Sequence, residues 1–179
     1  MRCWPTGWCR GAWPDGRGPF GDPVGLTFRA PGVAAADWAA ATALCIRSKA
    51  MWGYDDAFMA ACVAELTLTA ASTGGTRVVL VELDGKLCAV AQVGPSTVGR
   101  AGAELSKLFV APEATRRGLG RHLVVWARAA ARSRCADTLW IVADPNAVAF
   151  YERQGGRVVD HLPSGSIPGR TLPLMCIPT

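Results

Sequence analysis

Residues 104–121 read Glu104-Leu-Ser-Lys-Leu-Phe-Val-Ala-Pro-Glu-Ala-Thr-Arg-Arg-Gly-Leu-Gly-Arg121, and the rest of the chain can be interpreted around them. The apolar run 108–110 is typical of a buried strand, and Pro112 ends the pairing because proline has no backbone N–H to donate. From Leu119 to Ala130, apolar residues recur at helical spacing. The stretch therefore predicts a strand, a basic loop with two glycines, and a helix.

The loop between this strand and this helix has the composition of an anion-binding site. A helix begins with four unpaired backbone N–H groups and a partial positive charge. Gly118 and Gly120 let the backbone approach a ligand closely, and Arg116, Arg117 and Arg121 add formal charge. The loop suits a phosphate or a pyrophosphate, and the alternative is a glycine-containing turn that only joins a strand to a helix.

A second informative stretch follows the predicted buried strand Thr138–Val142. It reads Asp144-Pro-Asn-Ala-Val-Ala-Phe-Tyr-Glu-Arg-Gln-Gly-Gly156. Asp144 is a favourable helix cap with Pro145 at the first helical position, and Gly155 can end the helix. The stretch predicts a short helix that begins directly after a strand.

Together the two stretches resemble signature motifs of the GNAT superfamily of acyl-CoA-dependent N-acyltransferases. Residues 115–120 are similar to Gln/Arg-x-x-Gly-x-Gly/Ala, with Thr115 where the family prefers Gln or Arg. Residues 144–156 are similar to Asn-x-x-Ala-x-x-Phe/Tyr-Tyr-Glu-x-x-Gly-Phe, with Asp144 at the position of the Asn and Gly156 in place of the last Phe. The resemblance extends over about residues 26–177.

The resemblance implies an α/β fold of the GNAT type, a mixed sheet with helices on both sides in the order β-α-α-β-β-β-α-β-α-β-β. Residues 1–25 show neither the strand nor the helix period, so we expect an irregular, poorly ordered extension followed by an acyltransferase domain at 26–179. Apart from the helix after Asp144, we predict strands at 26–29, 77–83, 86–93, 103–110, 138–142, 157–160 and 172–177, and helices at 34–49, 56–66 and 118–133.

Composition and charge narrow the function classes. Half of the 179 residues are hydrophobic and 18% are charged, as in a folded domain. No apolar run reaches the roughly 18 residues that span a membrane, and no secretory signal is recognisable. The net charge of +5 suits a polyanionic small ligand or nucleic acid. Zinc-finger spacing and RNA-recognition signatures are missing, so we expect no nucleic-acid partner.

The cysteines indicate neither a metal site nor a disulfide framework. All seven are scattered, none forms Cys-x-x-Cys, and the chain has only two histidines. Cys45, Cys62 and Cys88 lie in apolar surroundings and are predicted to be small core residues. This usage fits the reducing cytoplasm.

The resemblance also implies a site. Tyr151 matches the tyrosine that many relatives use as general acid, and Glu104 has the sequence offset of a general-base glutamate. By the strand period of two, Glu104 should share a face with Leu108 and Val110. The strand 108–110 is expected to splay from 139–142, so that its backbone can pair with a pantetheine arm. The expected acetyl-CoA-binding residues are Leu108, Phe109, Val110, Thr115, Arg116, Arg117, Gly118, Leu119, Gly120, Arg121 and Asn146.

The segment Trp52-Gly-Tyr54-Asp55-Asp56 has two interpretations. Asp55 can cap the next helix, which makes the segment a packed corner. Alternatively, Trp52, Tyr54 and Asp55 border the acceptor pocket, because aromatic rings beside acids suit a cationic amine.

The sequence thus predicts an N-acetyltransferase that moves an acetyl group from acetyl-CoA to the amine of a small molecule or peptide by direct transfer. The alternative is a non-catalytic acyl-CoA-binding sensor of the same fold. The acceptor, the preferred acyl chain and the oligomeric state, a homodimer included, are not determined by these residues.

Overall fold

A computed structural model describes residues 25–32 and 35–179 of the chain. The predicted order of elements is confirmed, and the predicted N-terminal extension lies almost entirely outside the described residues. The strands are β1 (Leu26–Arg29), β2 (Arg77–Leu83), β3 (Lys86–Pro95), β4 (Ala103–Val110), β5 (Thr138–Val142), β6 (Arg157–Pro163) and β7 (Thr171–Pro178). The helices are α1 (Ala35–Ala50), α2 (Asp56–Leu66), α3 (Leu119–Arg132) and α4 (Val148–Arg153).

The described strands form one mixed sheet, as expected from the resemblance. Their order across the sheet is β1-β2-β3-β4-β5-β7-β6. The pair β4–β5 is parallel, and the remaining pairs are antiparallel. Because β4 and β5 are parallel, the chain must cross over between them, and α3 makes that crossover.

The core lies on both faces of the central strands. Every residue of β3 from Cys88 to Gly94 is buried. Since successive side chains of a strand point to opposite faces, both faces of β3 must be covered. Helices α1 and α3 both pack on β3 and β4 and provide this cover. The interior is therefore a layer of helix on each side of the sheet.

The cysteines that the sequence placed in the core are buried there. Cys45, Cys62 and Cys88 all have side chains at or below 6% exposure. Within the described residues, no three His, Cys, Asp or Glu side chains come together as a metal site would require. None of the described helices is both long and apolar enough to span a bilayer.

The strands β4 and β5 pair only at one end. Ala103 faces Leu139 and Glu104 faces Trp140, and no further pairs follow. From Leu105 onwards β4 pairs with β3 alone, and its other edge is open. The expected separation of 108–110 from 139–142 is confirmed, and backbone groups of β4 and β5 are left without sheet partners.

A β-bulge at Ser106 overturns one expectation about Glu104. Gln92 of β3 faces Lys107, but the next residue, Val93, faces Leu105, so Ser106 is an extra residue in β4. The extra residue breaks the period of two between Glu104 and Leu108. The expectation that Glu104 shares a face with Leu108 and Val110 was therefore wrong, because the register places it on the face of Lys107.

The helical segment after β5 starts at the predicted cap and ends at the predicted glycine, although its first turn is 3₁₀ and α4 itself begins at Val148. The carboxylate of Asp144 accepts a hydrogen bond from Asn146 N at 3.0 Å, and a short 3₁₀ turn at Pro145–Ala147 leads into the helix. At the other end Gly155 has φ +81°, and Gly156 N donates to Tyr151 O at 2.9 Å. This pattern is a Schellman motif, which explains the glycine at position 155.

Candidate active site

A large cavity opens where β4 and β5 separate. Its volume is about 810 Å³. The open edge of β4 from Leu105 to Val110 forms one wall, and the end of β5 with the start of α4 forms the other. The loop before α3 lies at one end of the cavity, and side chains of α1 and α2 lie at the other. The cavity is thus bounded by both sequence motifs.

The loop before α3 needs its first glycine for backbone reasons. Gly118 is the N-cap of α3 and has φ +80°, a left-handed conformation that L side chains rarely adopt. Arg116 is also left-handed, at φ +61°. His122 stabilises this turn. Its backbone N–H donates to Gly118 O at 3.2 Å, and its ring Nδ1 lies 3.1 Å from the same oxygen. The left-handed residues aim the start of α3 at the cavity.

The second glycine of the loop has a packing reason. A Cβ atom at Gly120 would lie 3.1 Å from the ring of Phe150 in α4. Gly120 therefore allows α3 and α4 to approach each other closely, and Phe150 in turn lies 5.0 Å from the ring of Tyr151. This glycine positions the tyrosine helix against the loop.

The side chains of the loop differ in their exposure to the cavity. Arg116 and Arg121 line it, joined by Arg153 from α4. Arg117 is exposed but is not among the lining residues. The hydroxyl of Thr115 donates to Pro112 O at 2.9 Å, which closes the short turn after β4. The cavity end beside the loop is strongly basic.

Tyr151 is buried and lines the cavity. Only 6% of the residue is exposed, and burial raises the pKa of the phenol well above its ordinary value. Within residues 25–32 and 35–179 its hydroxyl makes no hydrogen bond. Tyr151 is therefore a neutral donor at physiological pH, with its hydroxyl left for a ligand.

Glu104 lies beside the closed end of the opening. It is the last residue of β4 that pairs with β5. Its Oε2 accepts hydrogen bonds from Thr97 N at 2.7 Å and from Thr97 Oγ1 at 2.6 Å. Glu104 is not among the residues that line the cavity.

Lys107 is a cavity residue that sequence reasoning missed. It follows the bulge and shares its face with Glu104. Burial lowers the pKa of Lys107, and the nearby carboxylates of Glu65 and Glu104 oppose this effect without cancelling it. The period-of-two interpretation gave no indication of this position, because the bulge that defines the face is not visible in the sequence.

A polar network closes the end of the cavity that lies away from the loop. The Tyr54 hydroxyl lies 2.9 Å from both carboxylate oxygens of Asp144, and it accepts a hydrogen bond from Arg170 at 2.8 Å. Asn146 Nδ2 donates to the same hydroxyl at 3.2 Å. Lys49 Nζ lies 3.4 Å from Asp144. These contacts join the end of α1, the start of α4 and the β6–β7 loop.

The network determines the ionisation of Asp144. Burial opposes its charged form most strongly, but the hydrogen bonds from Asn146 N and Tyr54 and the charges of Lys49 and Arg170 outweigh burial. The pKa of Asp144 is therefore below its usual range. Asp144 was predicted only as a helix cap, because its partners lie far away in the sequence.

The three residues that were predicted to border the acceptor pocket have different surroundings. Trp52 lines the cavity and is 44% exposed. The ring of Tyr54, stacked on Phe58 at 4.0 Å, is faced by Arg170 at 5.1 Å and by Lys49 at 5.6 Å. Asp55 caps α2 as predicted, accepting from Phe58 N at 2.8 Å, and does not line the cavity. Cations of the protein itself therefore occupy the aromatic surface that we expected to face a cationic amine.

Comparison with protein families gives one match that covers most of the chain. The model of the family described as "Acetyltransferase (GNAT) family" matches residues 42–156. This range contains the glycine loop, Tyr151 and the open edge of β4. None of the curated protein sequences compared with the chain matches it.

Solved structures with the same fold include three acetyltransferases. The PaiA N-acetyltransferase of Thermoplasma acidophilum, in complex with coenzyme A, has a TM-score of 0.66 at 16% identity over 86% of this chain and 99% of that one. The ribosomal-protein-S18-alanine N-acetyltransferase of Escherichia coli has a TM-score of 0.58 at 21% sequence identity. The match covers 86% of this chain and 93% of that one. An aminoglycoside 6′-N-acetyltransferase complexed with coenzyme A has a TM-score of 0.60 at 18% sequence identity. The match covers 85% of this chain and 96% of that one.

The network around Asp144 yields a prediction about stability. Asp144→Asn removes the charge that compensates Lys49 and Arg170, whose side chains are only 11% and 18% exposed. We expect the free energy of unfolding at pH 7 to fall by roughly 2–4 kcal/mol. Since the pKa of Asp144 is lowered in the folded protein, this stabilisation is present above the unfolded pKa of about 4 and is lost as pH falls through the folded value.

Urea denaturation of the wild type and the variant at several pH values measures this difference. Asp160→Asn is the matched control, because Asp160 and its partner Arg100 are 48% and 44% exposed. The free energy of unfolding of the control should fall by less than about 1 kcal/mol. Equal stability of the two variants at pH 7 would contradict a stabilising role for the network.

Proposed function

Because this chain belongs to the acetyltransferase (GNAT) family, we propose that it transfers an acetyl group from acetyl-CoA to a primary amine, directly and within a ternary complex. The observation that supports this most strongly is the opening between β4 and β5, which connects the basic loop to Tyr151. A cavity of about 810 Å³ is large enough for an extended ligand with polar ends.

The donor is proposed to bind along the opening. Its pantetheine arm carries amide groups, and the open edge of β4 from Leu105 to Val110 offers backbone groups that pair with them as a further strand would. The pyrophosphate is proposed to meet the backbone N–H groups of 116–121 and the charges of Arg116 and Arg121. Phe109, Thr115, Arg117, Leu119 and Asn146 complete the proposed donor-binding set.

Tyr151 is proposed as the general acid. The donor supplies an activated thioester, and its departing thiolate is stabilised by a proton. The Tyr151 hydroxyl is protonated at neutral pH, lines the cavity and makes no hydrogen bond within the described part of the chain. Backbone N–H groups near Leu108 are proposed to stabilise negative charge on the carbonyl oxygen as it develops.

Glu104 is proposed as the general base that removes a proton from the acceptor ammonium. It lies beside the closed end of the opening, and its contacts with Thr97 fix the position of its carboxylate. Since Glu104 does not line the cavity, the proton is proposed to reach it through a water molecule. Lys107 is the competing base, because it does line the cavity and its pKa is lowered.

The acceptor is proposed to enter past Trp52, at the end of the cavity away from the loop. Trp52 is the exposed aromatic side chain there, while Tyr54 positions the wall through Asp144 and Asp55 holds the start of α2. Small-molecule amines and peptide amines both remain candidates.

The rival function is a sensor that binds acyl-CoA without turnover. Measuring coenzyme A release from acetyl-CoA with a panel of amines separates the two functions. The panel should include a polyamine, amino acids, an aminoglycoside and peptides with a free N-terminus or lysine. Amine-dependent release supports the enzyme, whereas tight acetyl-CoA binding without release for any amine would support the sensor.

The proposed general acid leads to a kinetic prediction. Tyr151→Phe keeps the ring and removes the proton, so kcat should fall by roughly 10²- to 10⁴-fold while the affinity for acetyl-CoA changes little. Steady-state kinetics with the best acceptor and calorimetry with acetyl-CoA measure the two quantities. An unchanged kcat, in an assay limited by the chemical step, would assign Tyr151 a packing role only.

The proposed general base leads to a pH prediction. An alkyl ammonium has a pKa of about 10.4, so at neutral pH the attack requires a base. Glu104→Gln should depress kcat/KM most at low pH, and raising the pH should restore part of it as free amine accumulates. A pH–rate profile that overlays the wild-type profile would remove Glu104 from the mechanism. If Lys107→Gln lowered kcat/KM under the same conditions, the role of general base would then belong to Lys107.

A further inference from the structure

The charged side chains at the end of the cavity away from the glycine loop are unevenly partnered. Four of them line the cavity there, namely Lys49 of α1, Glu65 of α2, Lys107 of β4 and Asp144 after β5. Arg170 adds a third positive charge, because it contacts Asp144 from the β6–β7 loop. Which of these charges a ligand can use depends on what each side chain already binds.

Both carboxylates at this end are already bound by the protein. Asp144 pairs with Lys49 at 3.4 Å and with Arg170 at 3.5 Å. Glu65 accepts a hydrogen bond from the Ser166 hydroxyl, and its other oxygen lies 3.8 Å from Lys49 Nζ. An acceptor that carries only positive charge would have to compete with these cations for the same oxygens.

Lys107 is the cation at this end that lacks a direct anionic partner. Among the described residues it makes no hydrogen bond or ion pair. The titratable groups that face it are Cys45 of α1, Glu65 and Glu104, and their charges do not cancel the effect of burial on its pKa. A partly buried ammonium group costs free energy unless an anion pairs with it. A carboxylate on the ligand would supply that anion.

The rest of this end is apolar. Leu66 and Leu105 are buried in the cavity wall. Met51 and Trp52 also line the cavity, and they are 45% and 44% exposed. Large apolar side chains that are exposed beside a cavity favour a ligand with an apolar part.

We propose that the acceptor is an amino carboxylic acid with an apolar body, whose carboxylate binds Lys107 while its amine receives the acetyl group; this proposal rests on the function proposed above. Such a molecule is zwitterionic at neutral pH, so its ammonium group brings its own counter-charge. A polyamine or an aminoglycoside brings only positive charge, which Lys49, Lys107 and Arg170 repel.

The proposal gives Lys107 a binding role and leaves proton removal to Glu104. In the reaction the amine nitrogen forms a bond to the acetyl carbon, and the bond from that carbon to the sulfur of coenzyme A breaks. The thiolate leaves with a proton, and the acceptor carboxylate takes no part in the bond changes. It can therefore stay on Lys107 from binding to product.

The test compares leucine and phenylalanine with leucinamide and phenylalaninamide as acceptors. Each amide keeps the amine and the side chain and replaces the carboxylate with a neutral group. The amine of the amide is less basic, so more of it is free at neutral pH and chemical reactivity alone favours the amide. A preference for the acid must therefore come from binding. The pair γ-aminobutyrate and butylamine repeats the comparison with a longer distance between the two charges.

Three variants test the part that Lys107 plays. Lys107→Met keeps an unbranched apolar side chain and removes the charge. Lys107→Arg keeps a charge that cannot act as a base. Lys86→Met is the matched control, because Lys86 is exposed at the start of β3 and does not line the cavity. Coenzyme A release against acceptor concentration gives kcat and KM for each acceptor, and thermal unfolding checks that each variant is folded.

For at least one pair, the wild type should have a kcat/KM about tenfold or more higher for the acid than for its neutral partner, the worth of one hydrogen bond between charged groups. In Lys107→Met this preference should disappear, mainly through a higher KM for the acid. Lys107→Arg and Lys86→Met should keep it. A base role for Lys107 would instead lower kcat for the acid and the amide alike, in both Lys107 variants.

Three outcomes would overturn the proposal at different levels. If the wild type used the neutral partners as well as the acids, or preferred a polyamine, the acceptor class would be wrong and acetyl transfer would stand. If the preference for the acid survived in Lys107→Met, the contact with Lys107 would be wrong. If no amine released coenzyme A, the function proposed above would fail and this proposal with it.

Discussion

The parallel pairing of β4 with β5, and its end after two residue pairs, is the constraint on which the site depends. Two strands that pair at one end and separate beyond it leave a row of backbone groups without sheet partners. In a folded protein such groups need water or a ligand. The open edge from Leu105 onwards therefore lies along the cavity, between the basic loop at one end and α1 and α2 at the other.

Several contacts hold the two strands in this geometry. The bulge at Ser106 changes the register of β4 just where the pairing with β5 stops. Gly120 lets Phe150 pack against α3, which keeps α4 beside the loop. The Tyr54–Asp144 contacts fasten the end of β5 to the α1–α2 corner. The opening is thus supported by packing on one side and by a polar network on the other.

Local chemistry was enough to predict the elements and several of their ends, although β3 and β6 run two and three residues further than predicted. Asp144, Asp55 and Gly155 act through hydrogen bonds within a few residues, so a short stretch of sequence contains the whole interaction. The resemblance carried by two motifs implied the order of strands and helices, the mixed sheet, and the separation of β4 from β5. These predictions depended on neighbours in the chain or on a family pattern.

The parts that sequence reasoning missed depend on contacts between distant segments. The bulge at Ser106 reflects the pairing of β4 with β3, and without it the face of Glu104 was assigned wrongly. Lys49 meets Asp144 across 95 residues, and Arg128 meets Gln154 across 26. The role of Gly120 depends on a ring in another helix. No local pattern distinguishes these side chains from ordinary surface charges or turn residues.

The central claim is that the open edge of β4 binds the donor, and amide hydrogen exchange with and without coenzyme A tests it most directly. The account predicts slower exchange at residues 105–110 and at the loop 116–121 when coenzyme A is added. Exchange at Leu80 and Val81 of β2, which pair with strands on both sides, should not change. Binding of coenzyme A with unchanged exchange at 105–110 would contradict the account, because the donor would then lie elsewhere.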